Sequence, residues 1–320
     1  MDAAIEAHAV GRLYPGEGGP VGLRELTLHT PPGRVVALLG HNGAGKTTAI
    51  RGLATLLRFD RGQARVAGFD VRTQAHEVRR RIALVGQAAA VDEQLTATQN
   101  LVLFGRLRGL TRTAAGRRAA ELVEQVGLTG SAHRPVRGFS GGMRRRLDVA
   151  VSMIVRPAVM FVDEPTTGLD PAARRGLWAT LRGLVAEGTT VLLTTQYLEE
   201  ADALADHIVL LAHGEVVAEG TADQLKGRLG RPLIELRLAT DEDAARALPA
   251  LTALDPTAEL ADGGRLATLQ APHPDALLDA VRALARVGVS PAEATLRKPS
   301  LDEVVLSLTA THTDRKAGIP

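Results

Sequence analysis

The chain has 320 residues, of which 45% are hydrophobic and 23% are charged, with a formal net charge of +2 and no cysteine. This composition is ordinary for a folded globular protein, so it excludes a disordered or collagen-like chain, and the missing cysteines exclude disulfides and thiolate-bound metals. The length predicts one large domain and a smaller one. No apolar run approaches the roughly 18 residues of a membrane helix, and the start lacks a basic and apolar leader, so we expect neither a membrane span nor a secretory signal.

Two short segments with alternating apolar residues begin the chain, at residues 4–14 and 21–30, and a Gly/Pro-rich turn joins them. They predict two strands of a peripheral antiparallel sheet. A continuous apolar run at residues 34–39 is typical of a strand that is buried on both faces. Residues 94–155 carry apolar positions spaced by three and four, which predicts a helical subdomain.

Two more apolar segments follow, at residues 159–162 and 189–194, and an amphipathic helix around residues 174–187 separates them. Because a strand, a helix and a strand in this order form a crossover unit, the pattern predicts a parallel sheet. Strands at residues 208–211 and 215–218, joined by a tight turn, complete a first domain that we expect to end near residue 226.

The pattern changes beyond the first domain. A strand at residues 232–239, an amphipathic helix at 276–287 and a last helix at 301–308 predict a small α+β accessory domain over residues 227–310. We expect residues 311–320 to form a flexible tail.

The strand at residues 34–39 leads directly into a glycine-rich phosphate-loop motif, and a helix is predicted to begin near Lys46. In such a loop the backbone N–H groups close on phosphates, Lys46 neutralises their charge and the Thr47 hydroxyl ligates Mg²⁺. The motif therefore predicts nucleotide binding, and a glycine-rich turn without a ligand is the alternative. The residues expected to contact the nucleotide are Gly40, Asn42, Gly43, Ala44, Gly45, Lys46, Thr47 and Thr48.

A second motif is the apolar strand at residues 159–162, which ends in the two carboxylates Asp163 and Glu164. At this strand end we expect Asp163 to coordinate Mg²⁺ and Glu164 to activate the attacking water over the same nucleotide. The alternative is a strand that ends in two solvated acids. The phosphate loop earlier in the chain favours the metal-binding and catalytic interpretation over this alternative.

A third motif, Ser140-Gly141-Gly142, precedes a predicted helix and offers a hydroxyl and two backbone N–H groups at the helix start. A phosphate loop that acts alone needs no second anion site of this kind, so the motif indicates that one chain covers the nucleotide bound to another. The alternative is a serine cap with glycines in a tight turn. We interpret the arginines at residues 144–146 as a solvated helix face, with contact to an acidic partner as the other possibility.

In order and spacing, the three motifs resemble those of the ATPase subunits of ABC transporters. The resemblance covers residues 1 to about 226 and implies an α/β P-loop NTPase fold with a peripheral antiparallel β subdomain and a helical subdomain. It also implies that Tyr14 stacks on adenine, that Gln87 contacts Mg²⁺ and senses the membrane partner, and that Asp170 belongs to a loop at the nucleotide. A half-buried strand aromatic is the alternative for Tyr14, and a solvated amide is the alternative for Gln87.

One position departs from that family, because Gln196 stands where most members have a histidine after the strand at residues 189–194. An amide can donate a hydrogen bond to a γ-phosphate oxygen, but it cannot take up a proton. We therefore expect Gln196 to orient the γ-phosphate and Glu164 to be the catalytic base.

A narrower resemblance, to the daunorubicin/doxorubicin-resistance branch of these ATPases, rests on residues 100–107, 196–202 and 299–309. It implies an ATP-hydrolysing motor for the export of drugs, antibiotics or lipid-like hydrophobic compounds, with ATP and Mg²⁺ as cofactors. The implied partners are a second ATP-binding subunit, with a homodimer expected, and a separate transmembrane permease. The implied location is the cytoplasmic face of the plasma membrane.

Two other classes of function remain as alternatives. A non-transport ABC ATPase that acts on nucleic acid or ribosomes usually has two cassettes or a long coiled-coil insertion, and neither occurs here. Basic residues are dispersed and aromatic residues make up 2% of the chain, so we expect no nucleic-acid partner. An ATP-binding regulatory module with weak hydrolysis is consistent with Gln196, but the complete set of Lys46, Thr47, Asp163 and Glu164 argues against it.

Overall fold

The computed structural model describes residues 3–16, 19–86, 91–227, 232–297 and 300–305. It divides the chain into two units, Met1–Ala222 and Asp223–Pro320. Within the described residues, no helix is both long enough and apolar enough to cross a membrane.

The described strands of the first unit all belong to one mixed sheet. They are β1 (Ile5–Tyr14), β2 (Val21–Thr30), β3 (Val35–Leu39), β4 (Arg61–Val66), β5 (Phe69–Asp70), β6 (Ile82–Val85), β7 (Val159–Asp163), β8 (Thr190–Thr195), β9 (His207–Ala212) and β10 (Glu215–Gly220). Their order across the sheet is β5-β4-β1-β2-β10-β9-β3-β8-β7-β6.

The sheet has a parallel part and an antiparallel part. Strands β9, β3, β8, β7 and β6 pair in parallel, whereas β2, β1, β4 and β5 pair antiparallel. The two parts meet where β10 pairs with β2 through Glu215 and Glu25. Because parallel strands end at the same edge, the carboxyl ends of β3, β7 and β8 lie side by side.

Helices alternate with the parallel strands. Those of the first unit are α1 (Lys46–Leu53), α2 (Ala75–Arg81), α3 (Ala97–Leu107), α4 (Arg112–Gln125), α5 (Gly141–Ser152), α6 (Pro171–Ala186) and α7 (Leu198–Leu204), and α8 (Ala222–Gly227) crosses the division. Every residue of β3, β7 and β8 is buried, as expected for strands covered on both faces. Leu38, Phe161 and Leu192 of these strands share one apolar core with Ile50 of α1.

The strands predicted at residues 4–14, 21–30, 34–39, 159–162 and 189–194 are confirmed, with shifts of one residue or so at their ends. Strands β4 and β6 were not predicted. Only Ala64 and Val66 of β4 are buried, so its sequence lacks a clear apolar alternation, and β6 is four residues long.

The second unit is a four-stranded antiparallel sheet with two helices. Its elements are β11 (Leu233–Arg237), α9 (Asp241–Thr252), β12 (Glu259–Ala261), β13 (Leu266–Gln270), α10 (Ala276–Arg286) and β14 (Glu293–Arg297), and the strand order is β12-β13-β11-β14. Ile234, Leu236 and Leu269 of the sheet share a core with Ala247 of α9 and Leu284 of α10. Residues 301–305 are helical, and the rest of the helix predicted to residue 308 lies outside the described residues.

Candidate functional site

The phosphate-loop motif connects β3 to α1, as the sequence predicts. Gly45 caps the helix with φ of 101°, a left-handed conformation that other residues rarely adopt, so glycine is needed at this position. Because α1 begins at Lys46, the first N–H groups of that helix lack intrahelical partners and are available to an anion.

Lys46 lies inside this loop with 4% of its surface exposed. Its Nζ donates hydrogen bonds to the carbonyl oxygens of Gly40 at 2.7 Å and of His41 at 3.1 Å. The same Nζ lies 3.4 Å from Oε1 of Glu164. The ammonium group is therefore directed along the loop towards the end of β7.

Asp163, the last residue of β7, is buried and faces α1. Its Oδ1 accepts hydrogen bonds from the hydroxyl of Thr47 at 3.2 Å and from the hydroxyl of Thr194 at 2.6 Å. Thr194, on β8, was not identified from the sequence, because a threonine inside a buried strand carries no distinguishing pattern. The two predicted pairs, Lys46 with Thr47 and Asp163 with Glu164, are in direct contact.

Glu164 has an unusual backbone conformation, with φ of 46°. Its N–H donates to the Thr194 hydroxyl at 3.0 Å, and 14% of its side chain is exposed. A left-handed conformation at a residue other than glycine is strained and persists only where neighbouring contacts enforce it. The strain falls on the residue that the sequence predicts to be the general base.

An open cleft of about 490 Å³ contains the phosphate loop, and Glu164 lies at one side of it. Residues 42–48 form its floor, and Tyr14, at the end of β1, forms part of its rim. The Tyr14 ring is 37% exposed, and the Arg12 guanidinium lies 5.3 Å from the ring centre. An exposed aromatic ring beside a phosphate loop offers a stacking surface for a planar base.

Gln196 follows the end of β8 and is half-buried. In the sheet register, its neighbour Thr195 pairs with Leu39 of β3, and Thr194 pairs with Asp163 of β7. Gln196 therefore lies at the same sheet edge as the phosphate loop and the two carboxylates. Gln87 lies outside the described residues.

Ser140 and Gly141 are exposed at the start of α5, and neither lines the cleft of the phosphate loop. The Ser140 hydroxyl caps α5 by accepting a hydrogen bond from the Met143 N–H at 3.2 Å. Asp170 similarly caps α6, because its Oδ1 accepts from the N–H groups of Ala172 and Ala173 at 2.9 Å each. Within one chain, these residues hold helix ends and do not reach the cleft.

Gly142 has a packing role of its own. A Cβ at this position would lie 2.4 Å from the Ala173 Cβ of α6, so the two helices approach closely only because residue 142 is glycine. At Gly141 the nearest atom to an added Cβ would be a Leu169 methyl carbon at 3.7 Å, which is ordinary contact.

We expect Gly142→Ala to lower the free energy of unfolding by about 1–3 kcal/mol, because α5 must move away from α6. Gly141→Ala is the matched control and should change stability by less than about 0.5 kcal/mol. Urea unfolding of both variants measures the difference. Equal stability of the two variants would contradict the packing role of Gly142.

The interpretation of residues 144–146 as a solvated helix face is wrong. Arg144 pairs with Glu93 at 3.0 Å, and Arg146 donates to the carbonyl oxygens of Val126 and Gly127. Arg145 is 9% exposed, and its guanidinium donates to the carbonyl oxygen of Asp163 at the end of β7. A run of charged residues predicts a solvated helix face. The sequence does not show that backbone carbonyl groups of distant segments accept hydrogen bonds from these arginines.

Glu200 on α7 is a second buried charge that the sequence analysis did not single out. It is fully buried, and its Oε1 accepts a hydrogen bond from Trp178 Nε1 of α6 at 3.1 Å. Burial raises the pKa of the Glu200 carboxyl, and the hydrogen bond from Trp178 partly opposes that rise. Glu200 thus joins the segment after β8 to α6.

The raised pKa of Glu200 predicts a pH-dependent stability. The folded chain holds the proton of the Glu200 carboxyl more tightly than the unfolded chain does. The contribution of Glu200 to the free energy of unfolding is therefore complete below the ordinary glutamate pKa of 4.5, and it is lost as pH rises through the raised pKa. Glu200→Gln cannot ionise and retains an acceptor for Trp178. We expect this variant to have a higher Tm than the wild type at about pH 8, and the gap should close towards pH 4.5.

Thermal unfolding across this pH range is the measurement, and Glu199→Gln is the control because the Glu199 side chain is 73% exposed. A Tm difference for Glu200→Gln that stays constant with pH would show that ionisation of Glu200 has no part in it.

Comparison with known proteins gives consistent matches. A family model described as ABC transporter matches residues 23–167. The daunorubicin/doxorubicin resistance ATP-binding protein DrrA of Streptomyces peucetius is 46% identical over 98% of this chain and 94% of its own length. The Nod factor export ATP-binding protein I of Ralstonia nicotianae is 39% identical over 89% and 88%. A solved structure of the ATP-binding subunit of an ABC transporter matches with a TM-score of 0.61 and 29% identity, covering 71% of this chain and 93% of the other.

Proposed function

Since this chain belongs to the ATP-binding subunits of the ABC transporter family, we propose that its ATPase activity drives efflux of drugs or lipid-like hydrophobic compounds through a separate membrane permease. The proposal is supported by two close pairs of side chains, of which Lys46, Thr47 and Glu164 line one cleft and Asp163 is buried beside it. Thr47 lies 3.2 Å from Asp163, and Lys46 lies 3.4 Å from Glu164.

The donor atoms at this cleft fit Mg²⁺. The Thr47 hydroxyl and the Asp163 carboxylate are both oxygen ligands, and they lie close enough to share one small cation. Among the described residues no cluster of three or more His, Cys, Asp or Glu could hold a metal alone, so the remaining ligands would be phosphate oxygens and water. When bound, Mg²⁺ would neutralise charge that develops on the phosphates.

The side chains of this chain then divide the work of hydrolysis. Lys46 and the N–H groups at the start of α1 bind and orient the phosphates of ATP, and the Tyr14 ring stacks on the adenine. Glu164 takes a proton from the attacking water. Gln196 donates a hydrogen bond to the γ-phosphate, and as an amide it holds no proton for transfer.

A second copy of the chain completes the site. Ser140 and Gly141 are exposed but do not line the cleft of their own chain. Their hydroxyl and N–H groups cover the γ-phosphate of ATP bound to the opposite subunit, and Asp170 borders the same contact. ATP would then close two subunits around two nucleotides, and hydrolysis would reopen them.

The cargo and the location are inferred from relatives. One relative is named for daunorubicin and doxorubicin resistance and another for Nod factor export, and the match to the first spans nearly the whole chain. These names favour the export of a drug-like compound. The chain would lie at the cytoplasmic face of the plasma membrane, bound there through its permease.

Doxorubicin accumulation tests this proposal. The neighbouring reading frames are searched for a six-helix membrane protein, the candidate is expressed with this chain in a drug-sensitive bacterium, and cellular doxorubicin is followed by its fluorescence. We expect lower accumulation with both proteins, and normal accumulation when this chain carries Lys46→Met. Equal accumulation with wild type and Lys46→Met would contradict drug efflux, and the same comparison with a fluorescent lipid analogue tests the lipid-like cargo.

A further inference from the structure

Arg145 of α5 is a buried cation whose hydrogen bonds join three separate segments. Its Nε donates to the Pro165 carbonyl at 3.0 Å, and its Nη2 donates to the Asp163 carbonyl at 3.2 Å. Its Nη1 donates to the carbonyl of Gly86, the residue after β6. One guanidinium thus links the helix that begins beside Ser140 to the carboxyl ends of β6 and β7.

Burial of a charged guanidinium is energetically unfavourable. The residue at position 145 therefore contributes through the arrangement of its hydrogen-bond donors. Burial lowers the pKa of the Arg145 guanidinium, and the nearby carboxylates of Asp148, Asp163 and Glu200 oppose that shift. The Asp148 carboxylate lies 3.6 Å away. A planar guanidinium has five N–H donors in a fixed arrangement and can bind three carbonyl groups at once, whereas a lysine ammonium is a single point of charge.

Two of the three carbonyl groups flank Glu164. Arg145 binds the carbonyl of the residue before it, Asp163, and that of the residue after it, Pro165. The Thr194 hydroxyl accepts from the Glu164 N–H at 3.0 Å on the same stretch. These contacts fix the backbone on both sides of a residue whose φ of 46° is strained, so they account for the persistence of that conformation.

We propose that Arg145 is a positioning residue for ATP hydrolysis, which holds the Glu164 carboxylate at the nucleotide cleft by fixing the carbonyl groups of the residue before it and of the residue after it. The inference rests on the proposed role of Glu164 as general base. Arg145 itself does not line the nucleotide cleft, so its effect should fall on the rate of the chemical step and leave ATP binding unchanged.

The test compares Arg145→Met and Arg145→Lys with Arg146→Met, a matched control on the same helix whose guanidinium caps Val126 and Gly127. We expect Arg145→Met to lower kcat by about tenfold or more with KM for ATP within about twofold of wild type. Arg145→Lys should have an intermediate kcat, because one ammonium group can replace only some of the hydrogen bonds of the guanidinium. Arg146→Met should lower Tm without changing kcat of the folded protein.

A double variant separates positioning from a general loss of structure. If Arg145 acts through Glu164, then Arg145→Met should not lower the rate constant of ATP hydrolysis further in a Glu164→Gln background. This rate constant is measured under single-turnover conditions. The same fold-loss in both backgrounds would overturn the proposal, as would a raised KM for ATP with unchanged kcat, or a lower Tm alone.

Three further outcomes are distinguishable. If Arg145→Met does not fold, Arg145→Lys carries the same measurements, and a wild-type kcat in that folded variant would overturn the proposal. A wild-type protein that binds ATP without releasing phosphate would remove the proposed role of Glu164 together with this inference. An active wild type with an unaffected Arg145→Met overturns the inference alone.

Discussion

Replacing Glu164 with glutamine is expected to lower kcat for ATP hydrolysis by about 10²-fold or more while ATP affinity stays within a few-fold of wild type. Glutamine matches glutamate in shape, so the strained backbone and the hydrogen bond from the Glu164 N–H to Thr194 can persist. It cannot accept a proton from water, and the amide of Gln196 at the same sheet edge cannot accept one either. The substitution therefore slows the hydrolysis step and leaves ATP binding nearly unchanged.

Steady-state phosphate release and equilibrium ATP binding measure the two effects separately. Glu199→Gln is the matched control, since it makes the same substitution on an exposed side chain of α7. A kcat near the wild-type value in Glu164→Gln would show that another group is the base. A parallel loss of ATP affinity would show that Glu164 contributes to binding.

Replacing Lys46 with methionine is expected to weaken ATP binding by about 10²-fold, which corresponds to roughly 2.7 kcal/mol. Methionine fills much of the same buried volume but cannot neutralise phosphate charge. It also removes the hydrogen bonds to the Gly40 and His41 carbonyls and leaves Glu164 without its ion-pair partner at 3.4 Å.

Titration with a fluorescent ATP analogue measures this loss, and Arg51→Met is the control because Arg51 is an exposed cation in the last turn of the same helix. The control should bind as the wild type does. If Lys46→Met bound ATP equally well but failed to hydrolyse it, the lysine would act only on the transition state.

Local motifs made much of the candidate site predictable. A phosphate loop, a strand that ends in two acids and a Ser-Gly-Gly helix start are each contiguous in sequence, and each chemistry depends on neighbouring residues. The family and the α/β phosphate-loop fold that these motifs indicated are confirmed by the comparisons. Parallel strand order explains why distant motifs such as Lys46 and Glu164 meet at one edge.

Contacts between distant segments were not predictable. Thr194, Arg145 and Glu200 each act through partners on other elements, and nothing in their immediate sequence distinguishes them from core or surface residues. Gly142 was assigned to anion binding from its motif, whereas its close approach to Ala173 depends on the packing of α5 on α6.

The second unit was predicted least completely. Of its four strands only β11 was recognised, because β12 has three residues and most of β14 is exposed, so neither shows the alternation of a half-buried strand. Helix α9 contains Pro249 and begins with three acids, Asp241, Glu242 and Asp243, and its apolar residues are largely alanines. The helical spacing of apolar residues in α9 is therefore indistinct, and the helix was not predicted.

The most direct test of the account is phosphate release from ATP by the wild-type protein across a Mg²⁺ titration, with ATP binding measured on the same samples. If Thr47 and Asp163 hold Mg²⁺ beside phosphates bound by Lys46, with Glu164 as base, then phosphate release should rise with Mg²⁺ to saturation and stop when EDTA is added. Stoichiometric ATP binding without phosphate release at any Mg²⁺ concentration, or an equal rate in EDTA, would contradict it.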